Sequence, residues 1–125
     1  MLIDTDIFIW LLRGNEKVAD FLDTLESFYI SDMTYMELIQ GTLNKREMQT
    51  LHKILIEMDV ARIPLDPTIS AKASLLVEKY AHSHSVHAAD ALIAATALSY
   101  KHTLVSGNKK HFLPIPDLDL HEFSV

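Results

Sequence analysis

The stretch His87-Ala88-Ala89-Asp90-Ala91-Leu92-Ile93-Ala94-Ala95-Thr96-Ala97-Leu98 constrains this chain more than any other. Ala and Leu dominate it, and neither Gly nor Pro interrupts it, so it predicts a helix. It is apolar almost all round, which predicts burial rather than a solvent-facing helix. Small residues at Ala91, Ala94, Ala95 and Ala97 let neighbouring backbone approach closely. One carboxylate, Asp90, stands near the start. A buried, unpaired Asp is costly, so this one requires a cap, a cation or a metal.

The rest of the chain alternates short apolar runs with helical periodicity. Leu2-Ile3 is a strand candidate leading into Asp4-Thr5-Asp6, and Ile7 to Leu12 continue as a helix that stops near Gly14. From Glu16 to about Leu25, the residues Val18, Phe21, Leu22 and Leu25 share a helix face. Phe28-Tyr29-Ile30 is a second strand, followed by Ser31 to Thr34 and a helix that carries Glu37 and ends around Gly41. Arg46 to Met58 is helical, and Val60 to Leu65 is a third strand closed by Pro64, Asp66 and Pro67. Thr68 to about Ala81 is helical, and a polar break at His82 to Ser85 precedes the Ala-rich helix. Thr103-Leu104-Val105 is a fourth strand, with Leu118 to Phe123 a candidate fifth. This alternation predicts an α/β fold, a parallel sheet of four or five short strands flanked by helices. With 125 residues, no repeat and no linker, one domain over residues 1–125 is expected.

Charge narrows the partners. Eleven basic against seventeen acidic residues give a net charge of −6, which argues against a broad basic face for nucleic acid. A local basic patch, or an acidic site neutralised by metal, is compatible with it. There is no Cys, so disulfides and thiolate metal sites are excluded, and a reducing, cytoplasmic setting fits. No apolar run approaches the roughly 20 residues of a membrane helix. Met1-Leu2-Ile3-Asp4 has no basic n-region, so no signal peptide is expected.

Asp4 with Asp6, Glu37 and Asp90 follow strands or open helices, and Ser106-Gly107-Asn108 follows the fourth strand. In open parallel sheets ligands bind beyond the carboxyl ends of the strands, so Asp4, Glu37, Asp90 and Asn108 are expected to converge there. Clustered carboxylates repel, and a hard cation such as Mg²⁺, which keeps several waters, relieves them. Such an ion can activate water and steady a phosphoryl group. Each acid also has a plainer role open to it. Thr34-Tyr35-Met36-Glu37 is a capping-box pattern with Thr34 as N-cap. Asp4, Asp6 and Asp90 could complement helix N-termini, worth about 0.3–1 kcal/mol each. His82, His84 and His87 do not share one helix face and read as turn residues rather than zinc ligands. Trp10 and Tyr100 read as core or interface residues, and Lys109-Lys110 with His111 as a short solvated run beside Asn108.

The matching segments run the length of the chain: Leu2-Ile3-Asp4-Thr5-Asp6-Ile7-Phe8-Ile9, Ile30-Ser31 to Thr34, and Glu37-Leu38 with Gly41. They continue with Asp90 to Leu98 and with Thr103-Leu104-Val105-Ser106-Gly107-Asn108-Lys109-Lys110-His111-Phe112. On these segments the chain resembles the PIN-domain family, and within it the small VapC-type toxin ribonucleases of toxin–antitoxin pairs. The resemblance implies a PIN-like three-layer sandwich and an endoribonuclease dependent on Mg²⁺ or Mn²⁺. It implies Asp4, Glu37 and Asp90 as metal-site residues, Asn108 where some relatives have a further Asp, and Thr5, Asp6 and Ser106 in supporting positions. Ser106 keeps the hydroxyl of the more usual Thr, and Asp6 stands where Asn or Ser is commoner. His111 lies where some relatives have Asp. A homodimer and a small antitoxin partner are also implied. Two other classes stay open on the residues alone: a non-catalytic acidic module that receives a partner's Arg or Lys, and a phosphatase that forms an aspartyl-phosphate on Asp4.

Overall fold

A computed structural model describes residues 1–125. Its centre is the strand β1 (Leu2–Ile3), whose two residues are fully buried. Successive strand residues point to opposite faces. Leu2 accordingly joins one apolar core, and Ile3 joins the other on the far side of the sheet. The remaining strands are β2 (Tyr29–Ser31), β3 (Ala61–Ile63), β4 (Leu104–Ser106) and β5 (Leu120–Glu122). They form one five-stranded sheet in the order β3-β2-β1-β4-β5, and every pairing is parallel. The fifth strand is real but short, three residues within the longer span expected from the sequence.

Helices cover both faces, as the alternation of elements requires. On one side lie α1 (Thr5–Leu12), α2 (Glu16–Asp23), α3 (Asp32–Gln40) and α4 (Lys45–Glu57). Ile7, Phe8, Val18, Leu22, Leu38, Leu51 and Leu55 from these helices enclose Ile3, Ile30 and Val105 of the sheet. On the other side α5 (Pro67–His84) and α6 (Ala88–Tyr100) pack extensively on each other and over Leu2 and Leu104. Pro67 opens α5 where a missing N–H costs nothing, and Asp66 caps it through Ile69 N at 2.8 Å. The polar segment at His82 to Ser85 does not break the helix early. α5 runs through His84 and stops at Ser85, whose left-handed backbone (φ 54°) turns the chain.

The Ala-rich helix is the buried one. In α6, Ala91, Ile93, Ala94, Ala95, Thr96 and Ala97 are all buried, with Ala94 and Ala95 at zero exposure. The small side chains set how closely α6 approaches the sheet, and that distance places Asp90. No helix is long and apolar enough to cross a membrane.

Enlarging Ala94 or Ala95 to Leu should therefore overpack this layer and cost about 1–3 kcal/mol. We expect a lower urea midpoint at unchanged slope for both variants. Unchanged midpoints would mean that the α6 layer has slack.

Candidate active site

The order of the sheet fixes where a site can form. From β1 the chain steps outward to β2 and β3, then returns to place β4 and β5 on β1's other side. β1 and β4 thus flank the switch point, the crevice where open α/β sheets bind ligands. Leu2 pairs with Leu104 and Ile3 with Val105, and Asp4 N continues the ladder to Val105 O at 2.9 Å. Asp4 therefore comes level with Ser106. The Ser106 hydroxyl donates to Asp4 Oδ2 at 2.7 Å, and Thr5 N donates to Oδ1 at 2.8 Å, making Asp4 the N-cap of α1.

A second contact ties α3 to α1. Thr5 Oγ1 lies 2.7 Å from Glu37 Oε1 and 2.9 Å from Thr34 Oγ1. A hydroxyl has one proton, so Thr5 gives its proton to the carboxylate and receives one from Thr34. The capping box expected at Thr34 is absent. α3 begins two residues earlier, with Ser31 as N-cap accepting from Met33 N at 3.0 Å. Thr34 and Glu37 lie three apart on one helix face and both turn to Thr5. Thr34 thus joins the Thr5–Glu37 contact instead of capping the helix.

Asp6 is held at both oxygens, by Ile7 N at 2.8 Å and by Gly107 N at 2.9 Å. Asn108 N donates to Ser106 Oγ at 2.9 Å. Asn108 also starts the short helix α7 (Lys109–Phe112), which sequence periodicity did not reveal, but its side chain makes no capping bond. Asp90 sits in the first turn of α6, half-buried, with His111 Nδ1 3.1 Å from its Oδ2. The pair is within ion-pair distance but lacks hydrogen-bond alignment. The structure thus links Asp4, Thr5, Asp6, Glu37, Ser106 and the Asn108 backbone directly. Asp90 stands near enough to repel Asp4. His82, His84 and His87 are exposed, as is Trp10, which is not a core residue.

Electrostatics follow from burial. Asp4 is 4% exposed. Burial first, then the charge of Asp6 and lastly that of Asp90, push its carboxyl up to about 7, against the pull of Ser106 and Thr5. Burial also raises Asp6 above the ordinary carboxylate range, opposed by its bonds to Gly107 and Ile7. No Lys or Arg pairs with Asp4, Asp6, Glu37 or Asp90. Negative charge is therefore gathered without a cation to offset it. Every side-chain donor at this point except His111 is oxygen, the chemistry that hard divalent ions prefer. No three His, Asp and Glu side chains form a ready-made ligand group. Magnesium needs only one or two carboxylates and fills its shell with water, so the residues present fit it.

The fold and the site together define an α/β protein with an acidic cluster at the switch point of a parallel sheet. Residues 1–115 match the PIN domain. The chain is 32% identical to Ribonuclease VapC19 of Mycobacterium tuberculosis, over 94% of this chain and 95% of that protein. It is 32% identical to Toxin FitB of Neisseria gonorrhoeae, over 90% of each. The solved toxin–antitoxin complex from Klebsiella pneumoniae superposes with a TM-score of 0.80 at 25% identity, covering 98% of both chains. This chain belongs to the PIN-domain family.

The raised Asp4 pKa has a stability consequence with a definite sign. Between 3.8 and about 7 the folded, metal-free protein keeps a proton on Asp4 that the unfolded chain has lost. Stability should then fall as pH rises through that window. Urea midpoints of metal-free protein should be lower at about pH 8 than at about pH 5, and Asp4→Asn should flatten this dependence. Parallel pH profiles for the two proteins would show that Asp4 is not the group responsible.

Proposed function

We propose that this chain is a single-domain, metal-dependent endoribonuclease and the toxin of a toxin–antitoxin pair, acting in the cytoplasm. The observation that carries this reading is the buried Asp4 carboxylate at the switch point, flanked by acids and lacking a cationic partner. The two relatives named a ribonuclease and a toxin support it, because their similarity spans nearly the whole chain.

In this reading Asp4, Glu37 and Asp90 would hold Mg²⁺ or Mn²⁺ partly through the waters that complete its shell, since the three do not form a ready-made ligand group. A bound ion of this kind supplies a water of lowered pKa and stabilises charge on phosphoryl oxygens. The chain's own residues do the rest. Ser106 and Thr5 N fix the Asp4 carboxylate, and Thr5 Oγ1 fixes that of Glu37. A carboxylate oxygen has about two acceptor sites, so each of these bonds leaves room for a ligand. The Asn108 side chain is exposed and free of a capping bond, and in this reading it would meet a phosphate oxygen or a water. The reaction is attack of water on an RNA phosphodiester, forming one P–O bond and breaking another. An aspartyl-phosphate phosphatase finds no support, since no lysine pairs with Asp4 to assist the phosphate.

The partner reading rests on charge and shape. Carboxylates that accept a metal and a phosphate also accept a guanidinium in bidentate fashion. We place an antitoxin Arg or Lys among Asp4, Glu37 and Asp90. A groove of about 560 Å³ runs from Glu37 between α1, α3 and α4, lined in part by Ile9, Leu12, Leu38 and Ile54, and offers the antitoxin an apolar seat. Among nearby residues of the early helices, Trp10 is exposed and Leu11 half-buried. Phe21 is engaged by Phe123 and His121 at 5.2 Å between ring centres. A homodimer belongs to the same reading, and exposed apolar side chains such as Leu75 and Leu113 are available to it.

Purified protein should cleave RNA with added Mg²⁺ or Mn²⁺ and lose that activity to a chelator. Asp90→Asn should abolish cleavage while leaving the fold as stable or slightly more so, because a repulsion is relieved. Residual cleavage by an unfolding Asp90→Asn would make Asp90 a structural cap and place the chemistry elsewhere. Inhibition by the antitoxin should weaken as metal is raised and change with Asp4→Asn. Indifference to both would mean a partner that acts away from the acidic cluster.

A further inference from the structure

The turn between β4 and α7 bears Asn108 and leads to His111, yet little apolar packing holds it. Gly107, Asn108, Lys109 and Lys110 are all exposed. Lys109 Nζ reaches Glu122 of β5 at 3.2 Å, and a pair of polar ties joins the turn to the segment after β1. One runs from Asn108 N through Ser106 Oγ to Asp4 Oδ2. The other runs from Gly107 N directly to Asp6 Oδ2. Asp6 Oδ1 is anchored in its own helix by Ile7 N, so the side chain bridges two N–H groups 100 residues apart in sequence, between Ile7 and Gly107.

Two features show that this bridge is specific. Only a carboxylate offers two accepting oxygens. An Asn here would turn an NH₂ toward one of the two N–H groups. Gly107 also lies close against it, because a Cβ there would stand 2.8 Å from Asp6 Oδ2 and 3.4 Å from Phe123 O, so either the carboxylate or the turn would have to shift. Any side chain at 107 would disturb the Gly107–Asp6 contact by displacing one of the two partners. Downstream, His111 N bonds to Asn108 O at 3.1 Å and His111 Nδ1 lies 3.1 Å from Asp90 Oδ2, so movement at Gly107 reaches both Asn108 and Asp90.

We propose that Asp6 is a positioning residue rather than a metal ligand. Its carboxylate buckles the β4–α7 turn onto the β1–α1 junction and so sets where Asn108 and His111 stand relative to Asp4 and Asp90. This rests on the ribonuclease reading for its catalytic consequence, but the buckle itself does not.

The test uses Asp6→Ala, Gly107→Ala and the double variant. Gly107→Ala is the key arm because it disturbs the contact while leaving every charge in place. Amide hydrogen exchange, read by NMR on metal-free protein, should show Gly107 and Asn108 protected in the wild type and much faster to exchange in Asp6→Ala. Each single variant should lose about 10–100-fold in kcat with KM for RNA little changed, the range for residues that orient site groups through others. The double variant should be no worse than the poorer single, because both lesions cut one contact. Additive losses in kcat would overturn the proposal. So would weakened Mn²⁺ binding in Asp6→Ala with Asn108 exchange unchanged, which would make Asp6 a ligand. If the wild type cleaves no RNA, the ribonuclease reading fails separately, and exchange alone decides the buckle. Unprotected Gly107 in the wild type, or exchange unmoved by Asp6→Ala, then rejects it.

Discussion

Asp4 carries its carboxylate at the buried end of the central strand, and hydroxyl and amide donors hold it there instead of a cation. Removing a carboxylate from water without a counter-charge is expensive, and the cost is lowered only in part by two hydrogen bonds. The rest of the structure makes this placement sustainable. β1 is paired on both sides, so its backbone needs no water. α1 begins immediately after it, offering the Thr5 N–H to one oxygen. β4 ends level with it, offering a hydroxyl to the other. The proton that burial retains on Asp4 is then what a hard cation would displace.

The two cores explain why the acids stay together. Alternation along two-residue β1 sends Leu2 and Ile3 to opposite layers, so the strand is gripped from both faces and cannot slide. A one-residue slip would exchange those faces and bring Asp4 into the core. On the far layer, alanines let α6 lie close to the sheet, and that approach brings Asp90 to within reach of Asp4's field. Stability and the site are thus set by the same few small and apolar residues.

Much of this was legible in the residues. Strands followed by Asp or Ser, and an apolar helix with one misplaced charge, mark a parallel sheet and its acidic end without any structure. The contact between Thr34 and Thr5 was not legible. A Thr three residues before a Glu describes both a helix cap and two neighbours on one helix face, and local sequence does not separate them. Only the end of β2 at Ser31, which takes the cap, decides between them. α7 is four residues long, too short for a period to emerge. Of the two places open to Trp10, core or interface, the core is excluded, because its position faces outward beside Arg13, 5.7 Å from the ring centre. The double anchoring of Asp6 depends on a backbone N–H that has no signature in the residue names.

Asp4 and Ser106 are 102 residues apart. Parallel neighbours so distant in sequence cannot pair until β4 has been synthesised, and such non-local closure is slow. At roughly 5–20 residues added per second, a nascent chain spends seconds with its acids synthesised and its central strand one-sided. An intermediate ending before Thr103 lacks both the ladder partner of β1 and the hydroxyl that orients Asp4. For a molecule whose proposed substrate is RNA, the messenger under translation is the nearest target. Topology keeps the acidic cluster unassembled until β4 has been made.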